Sequence, residues 1–162
     1  MNTAMEKKEL EQLLDQAVQD VTERTAGVHL HQGDQLPGED ICTVQITFDK
    51  GFRTSLTLCA DTGLLYRMAC NSFHEESVSP EDVEEFSKEY FNVLCGRIAG
   101  AMVKATQVPA HFGPPVFYQG RYEPEDQEIQ FVLTYSDERH GGAQLIHHVP
   151  CSEKKRAVMN KT

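Results

Sequence analysis

One long amphipathic helix near the middle of the chain constrains its fold more than any other feature. Ser79 is a hydroxyl N-cap, Pro80 suits the first helical position, and acidic residues follow, so a strong helix start is predicted. The helix is predicted to run to about Thr106. At 100° per residue its apolar side chains fall within about 120°, which is typical of a core-facing stripe. The members of that stripe are Val83, Phe86, Tyr90, Leu94, Ile98 and Ala101.

The opposite side of this helix is predicted to face outward and to suit contact with another surface. A merely solvated face would carry Lys, Glu or Gln throughout, whereas glycine inside a helix costs about 1 kcal/mol relative to alanine. Something is therefore expected to approach this backbone closely, either another helix of the same domain or a separate partner. The residues on this side are Glu85, Glu89, Asn92, Gly96, Ala99 and Val103, with Gly100 near them.

The rest of the chain predicts a mixed helix and antiparallel-sheet domain with about six strands. Residues 5–24 repeat apolar side chains at helical spacing, and a second, short helix is predicted after Asp61 as N-cap. Alternating and β-branched segments predict strands, and turn residues separate them. The predicted strands are 28–31, 41–48, 53–58, 115–119, 128–136 and 143–149. We expect one domain over residues 1–151 and a polar C-terminal tail over 152–162.

Composition argues against several classes of partner. The 162 residues carry 15 basic and 25 acidic side chains and a net charge of -10, whereas nucleic acids and anionic membranes require clustered positive charge. The one basic run, 154–156, lies in the predicted tail and is expected to be solvated. No apolar segment has the length of a signal peptide or of a membrane span. A soluble, cytoplasmic protein is the expectation.

Cysteines and histidines were considered as catalytic or metal-binding groups. The five cysteines form no C-x-x-C pair and are expected to be mostly buried free thiols, with Cys95 a thiol in the core and not a nucleophile. Two histidine pairs, His29 with His31 and His147 with His148, lack the spacing of a zinc site. No metal site is therefore predicted, although a metal-dependent enzyme that uses these histidines remains a third class to test.

A motif on the long helix resembles the signature of the CheC/CheX/FliY chemotaxis phosphatases. That signature is Asp or Ser, x3, Glu, x2, Asn, x22, Pro, and the chain matches it at Glu89, Asn92 and Pro115. Its first position is Glu85 here, which keeps the charge of aspartate and adds a methylene. The resemblance extends over roughly residues 40–136, through the PPVFYQG segment. It implies an α+β, CheC/CheX-like domain with long helices packed against the sheet.

The resemblance implies dephosphorylation of a CheY-like response regulator. Asn92 would orient the attacking water, because a carboxamide both donates and accepts hydrogen bonds, and Glu89 would dock a lysine of the regulator. Partner contact is expected at Glu85, Gly96 and Ala99, and a structural role at Pro115. The protein would need no cofactor of its own, since Mg²⁺ would arrive with the phosphorylated partner.

Two further points follow from the resemblance. The short helix after Asp61 lacks Glu-x-x-Asn, so the chain is expected to be of the single-site CheX type, and a homodimer is plausible. The alternative function is a binding module of the same fold that captures the regulator without catalysis.

Overall fold

A computed structural model describes residues 6–50, 54–122 and 127–150 of the chain. This part contains three α-helices and a seven-stranded sheet, whereas about six strands were predicted. The helices are α1 (Lys7–Ala26), α2 (Thr62–Phe73) and α3 (Pro80–Thr106). The strands are β1 (His31–Gln32), β2 (Ile41–Lys50), β3 (Ser55–Asp61), β4 (His111–Phe112), β5 (Val116–Gln119), β6 (Gln127–Ser136) and β7 (Gly142–Pro150).

All strand pairings within the described residues are antiparallel, and the strand order along the sheet is β1-β6-β7-β3-β2-β4. Strands β4 and β5 both pair with the outer edge of β2, at different points along it. The hairpin predicted between β2 and β3 is confirmed, with Val44 opposite Leu58. Its turn, residues 51–53, lies outside the described residues.

One face of the sheet forms the main core together with the three helices. Alternate residues of β2 (Cys42, Val44, Ile46 and Phe48) belong to the same buried cluster as Leu14 of α1, Leu65 of α2 and Leu94 of α3. The opposite face carries a smaller cluster of Ile41, Cys59 and Ile146, against which Tyr122 packs. Period-two alternation along β2 therefore separates two environments, as expected for a strand covered by helices on one side.

Local capping chemistry fixes where α3 begins. The Ser79 hydroxyl accepts a hydrogen bond from the Asp82 backbone N–H at 3.1 Å, and the Asp82 carboxylate accepts one from the Ser79 N–H at 3.0 Å. This reciprocal pair is a capping box, which satisfies two backbone donors that the helix leaves free. Pro80 is at the first helical position and the helix ends at Thr106, so both predicted ends are confirmed.

Three local features differ from the prediction. The first strand was predicted over 28–31, but β1 is His31–Gln32 and shares only His31 with that range. Strand β4 was missed, because a two-residue strand among prolines and glycine has no alternating pattern to detect. Asp61 precedes α2 as predicted, but its carboxylate does not cap that helix. It accepts hydrogen bonds from the backbone N–H groups of Gly38 and Gly142, both at 2.7 Å, and so ties two loops together.

No helix of the described part is long and apolar enough to cross a membrane. The polar tail predicted over 152–162 lies outside the described residues.

Candidate functional site

Four of the predicted site residues lie together on the outward side of α3. Glu85, Glu89, Asn92 and Gly96 are all exposed, and at 100° per residue they fall within about 60° of the helix circumference. They form an exposed ridge along the helix. The helix wheel therefore predicted the accessible face of α3 correctly at these four positions.

Ala99 does not lie on this ridge, and its predicted outward position was wrong. Its side chain is only 8% exposed and belongs to the main core cluster. Helix α3 packs against α1 on one side and against β2 and β5 on another, so its buried face is much wider than a single stripe. The extra buried positions on this flank are Ser87, Phe91, Cys95, Ala99 and Met102.

Two polar contacts fix α3 against α1. The hydroxyls of Tyr90 and Thr22 are hydrogen-bonded at 2.5 Å in the core, and burial raises the pKa of Tyr90 to about 12. At the surface the Arg97 guanidinium pairs with the Asp20 carboxylate at 3.0 Å. The ridge is therefore presented on a helix that is anchored over much of its length.

The polar side chains of the ridge have no bonding partner in the described part of their own domain. Among the described residues, the side chains of Glu85, Glu89 and Asn92 form no hydrogen bond or ion pair. Lys88, the neighbouring cation, pairs instead with Glu84 at 3.0 Å. Because the two carboxylates and the carboxamide are exposed and unpaired within the described residues, a docking molecule can bind them without breaking a contact inside the domain.

A groove of about 920 Å³ is lined by both parts of the sequence motif, Glu89 and Asn92 on α3 and the distant Pro115. Its walls come from the ridge of α3, from the ends of α1 and α2, and from the segment that leads into β5. Pro115 directly precedes β5, and its structural role stays a prediction. The lining residues are Thr25, Ser72, Phe73, Glu81, Glu84, Glu85, Phe86, Lys88, Glu89, Tyr90, Asn92, Val93, Pro114 and Pro115.

Several groove residues were not predicted as site residues. Val93 lies four residues after Glu89 and Lys88 lies three after Glu85, a spacing that makes both residues neighbours of the motif on the helix surface. Phe73 comes from α2, and no sequence pattern connects α2 to the motif. Only the packing of α2 on α3 brings its side chain to the groove.

The glycines of α3 have different surroundings. A β-carbon added to Gly96 would meet the ring of Phe112, from β4, at 4.0 Å, whereas one added to Gly100 would meet nothing within 4 Å. A separation of 4.0 Å is an ordinary van der Waals contact, so no neighbour among the described residues requires glycine at either position. The predicted contact of Gly96 with a partner stays a prediction.

The four cysteines within the described residues are free thiols. Cys42, Cys59 and Cys95 are buried free thiols, as predicted, and Cys70 is half-buried. Burial strongly raises the pKa of the Cys95 thiol, which disfavours the thiolate that a nucleophile needs. Cys151 lies outside the described residues.

The two histidine pairs differ in burial: His29 and His31 are exposed, whereas His147 and His148 are buried. His29 and His31 contact each other edge to face, with ring centroids 4.5 Å apart. His147 stacks on Phe131, and His148 packs edge-on against Tyr122. Within residues 6–50, 54–122 and 127–150, no three His, Cys, Asp or Glu side chains converge as metal ligands.

Comparison with known sequences and comparison with known structures give different results. No protein-family model matches this sequence, and no curated protein matches it either. Solved structures, in contrast, match over nearly the whole chain. The fold is the one shared by the CheC, CheX and FliY proteins, as the motif had indicated.

Within that class the structure is CheX-like. The CheX protein of Vibrio vulnificus matches with a TM-score of 0.72 and 17% identity, covering 91% of this chain and 97% of its own. The CheX protein of Desulfovibrio desulfuricans matches with a TM-score of 0.73 and 11% identity, covering 86% and 97%. A CheX–CheY–BeF3–Mg²⁺ complex from Borrelia burgdorferi matches with a TM-score of 0.67 and 13% identity, covering 86% and 97%.

Proposed function

We propose that this protein is a cytoplasmic phosphatase that hydrolyses the aspartyl phosphate of a CheY-like receiver domain. The observation that carries the proposal is the pair of Asn92 and Glu89, exposed and without partners in the described domain, on an anchored helix beside Pro115. The Borrelia complex, in which a protein of this fold is combined with CheY, BeF3 and Mg²⁺, supports the choice of partner.

The reaction needs little covalent chemistry from the phosphatase. A water oxygen attacks phosphorus, the bond between phosphorus and the aspartyl oxygen breaks, and the electron pair of that bond returns to the receiver carboxylate. The proton lost by the water passes to the released phosphate or to solvent. Because phosphoryl transfer depends mainly on positioning and charge stabilisation, a correctly held water is a sufficient contribution. Mg²⁺ bound to the receiver supplies charge stabilisation at the phosphoryl group.

Asn92 is suited to hold that water. Its carboxamide accepts a hydrogen bond through oxygen and donates two through nitrogen, so it can fix both the position and the orientation of one water molecule. It does not act as a general base at neutral pH. Its contribution to the rate is therefore orientation, and it should be lost when the amide is removed.

Glu89 is suited to dock the receiver. It lies one turn before Asn92 on the same ridge, and a carboxylate–lysine pair at that point would place the carboxamide over the phosphoryl group. Glu85 lies one turn further back and adds a second negative charge to the same surface. Gly96, beyond Asn92, offers a surface without a side chain.

A receiver-binding module without catalysis is the second candidate function. The observation that favours it is Glu85, whose side chain is one methylene longer than the aspartate of the family signature. Groove residues also include four glutamates and only one lysine, a composition that suits capture of a cationic surface whether or not hydrolysis follows.

Decay of the aspartyl phosphate on purified receivers from the same genome separates the two functions. A phosphatase shortens the lifetime of the phosphoryl group on at least one receiver, at substoichiometric amounts of the protein. A binding module leaves that lifetime unchanged or lengthens it. If no receiver in the full panel is dephosphorylated or bound, the proposed function is wrong.

A further inference from the structure

An apolar strip borders the acidic ridge of α3. Phe73 packs edge-on against Phe86, with ring centroids 6.2 Å apart, and Phe86 stacks on Tyr90 at 5.8 Å. Val93 follows Tyr90 by three residues and continues the strip along the helix. Phe86 and Tyr90 are buried, but Phe73 and Val93 are each 39% exposed. The two middle residues of the strip thus belong to the core, and its two end residues are accessible to a partner.

Glu89 adjoins this strip directly. It lies three residues after Phe86 and four before Val93, which makes all three neighbours on the helix surface. A molecule whose cation pairs with Glu89 must therefore also cover Val93. The groove lining supports an occupant of this kind, because both apolar side chains and carboxylates line it and the one lysine is already paired with Glu84.

We propose that Phe73 and Val93 form the apolar part of the docking surface for the phosphorylated receiver domain. They receive an apolar side chain that stands next to the lysine paired with Glu89. This inference rests on the proposed function and extends the docking surface from α3 to α2. A few side chains that become fully desolvated near the centre of an interface commonly contribute most of its binding energy.

Charge complementarity selects a receiver over a second copy of this chain. In a two-fold symmetric dimer formed through the groove, the same surface would meet itself. That contact would bring two clusters of glutamates together in a protein of net charge -10, and like charges face to face oppose association. A partner with a basic and partly apolar surface has no such penalty.

The test measures the affinity of the protein for a receiver that it binds, loaded with Mg²⁺ and beryllium fluoride. Val93→Ala and Phe73→Ala remove the exposed ends of the strip. Val132→Ala is the matched control, since Val132 is a valine of β6 with the same 39% exposure that does not line the groove. We expect Val93→Ala to weaken binding roughly five- to tenfold and Val132→Ala to change it less than about twofold.

The outcomes distinguish this inference from the proposed function. If Glu89→Ala weakens binding while Val93→Ala and Phe73→Ala bind as tightly as the original protein, the inference is wrong and the proposed function stands. If the original protein binds no receiver, both are wrong. Sedimentation at matched concentrations tests the second-copy alternative: a change in self-association with unchanged receiver affinity would also overturn the inference. Val93→Ala decides the question if Phe73→Ala fails to fold.

Discussion

Acidic residues in this protein are of two kinds, distinguished by what their carboxylates contact. Asp137 accepts hydrogen bonds from the backbone N–H groups of Arg139 and Gly141 and from the Arg67 guanidinium. Burial opposes its ionisation, but these donors together hold the pKa of Asp137 below its usual range. Glu89, in contrast, has no partner among the described residues. The first acid stabilises a turn of the fold, whereas the second is available for binding.

Buried histidines make the stability of the protein depend on pH. Burial and the neighbouring His148 lower the pKa of His147 from 6.5 to about 4, and burial lowers the pKa of His148. As pH falls, these histidines are therefore protonated at a higher pH in the unfolded chain than in the folded protein. The contribution of the neutral rings to the free energy of unfolding is fully present above about pH 6.5 and is lost progressively toward pH 4. Urea titrations between pH 7.5 and 4 should show this loss.

His147→Gln should give a flatter dependence of the unfolding free energy on pH across that window, because glutamine does not titrate. His29→Gln, at an exposed position of the chain, is the matched control and should keep the original slope. Equal slopes for His147→Gln and the original protein would contradict this explanation. Loss around and below pH 3.8 has a further origin, since the unfolded chain then binds protons at carboxylates such as Asp137, whose pKa is lower in the folded protein.

At the scale of elements, α3 illustrates which features a sequence determines locally. Its start and end were predicted because capping depends on residues within one turn, Ser79 and Asp82 at the start. The burial of Ala99 was not predicted, because it depends on α1 and the sheet contacting the helix from two sides. Strand β4 was missed for a similar reason. Its Phe112 is held by packing on Phe48, at 5.2 Å between centroids, and not by a local pattern.

The hydrogen bond between Tyr90 and Thr22 should be a measurable part of the anchor between α3 and α1. Tyr90→Phe leaves the Thr22 hydroxyl buried without its partner, so we expect a loss of about 1–3 kcal/mol in the free energy of unfolding, measured by urea denaturation. Thr22→Val in the Tyr90→Phe background removes the unsatisfied hydroxyl. The double variant should therefore lose less than the sum of the two single losses. Additive losses would show that the two hydroxyls do not interact.

At the scale of the whole molecule, long-range pairing assembles the site. Most strands were predicted from alternation, but alternation alone does not specify the order β1-β6-β7-β3-β2-β4. The motif predicted the fold class because it linked α3 to Pro115, 23 residues after Asn92. The groove could not be predicted in full, since Phe73 reaches it only when α2 packs on α3. The sequence thus predicted the ridge of α3, whereas the other residues that line the groove could be identified only from the tertiary structure.

The central claim is that Asn92 positions the hydrolytic water, and one substitution tests it directly. The measurement is the lifetime of the aspartyl phosphate on a receiver that the original protein dephosphorylates, with Asn92→Ala compared with Lys104→Ala, an exposed control on the same helix. We predict that Asn92→Ala lowers the rate about 100-fold or more, while receiver affinity and thermal unfolding stay close to those of the original protein. Lys104→Ala should retain full activity. Dephosphorylation by Asn92→Ala at the original rate would contradict the account.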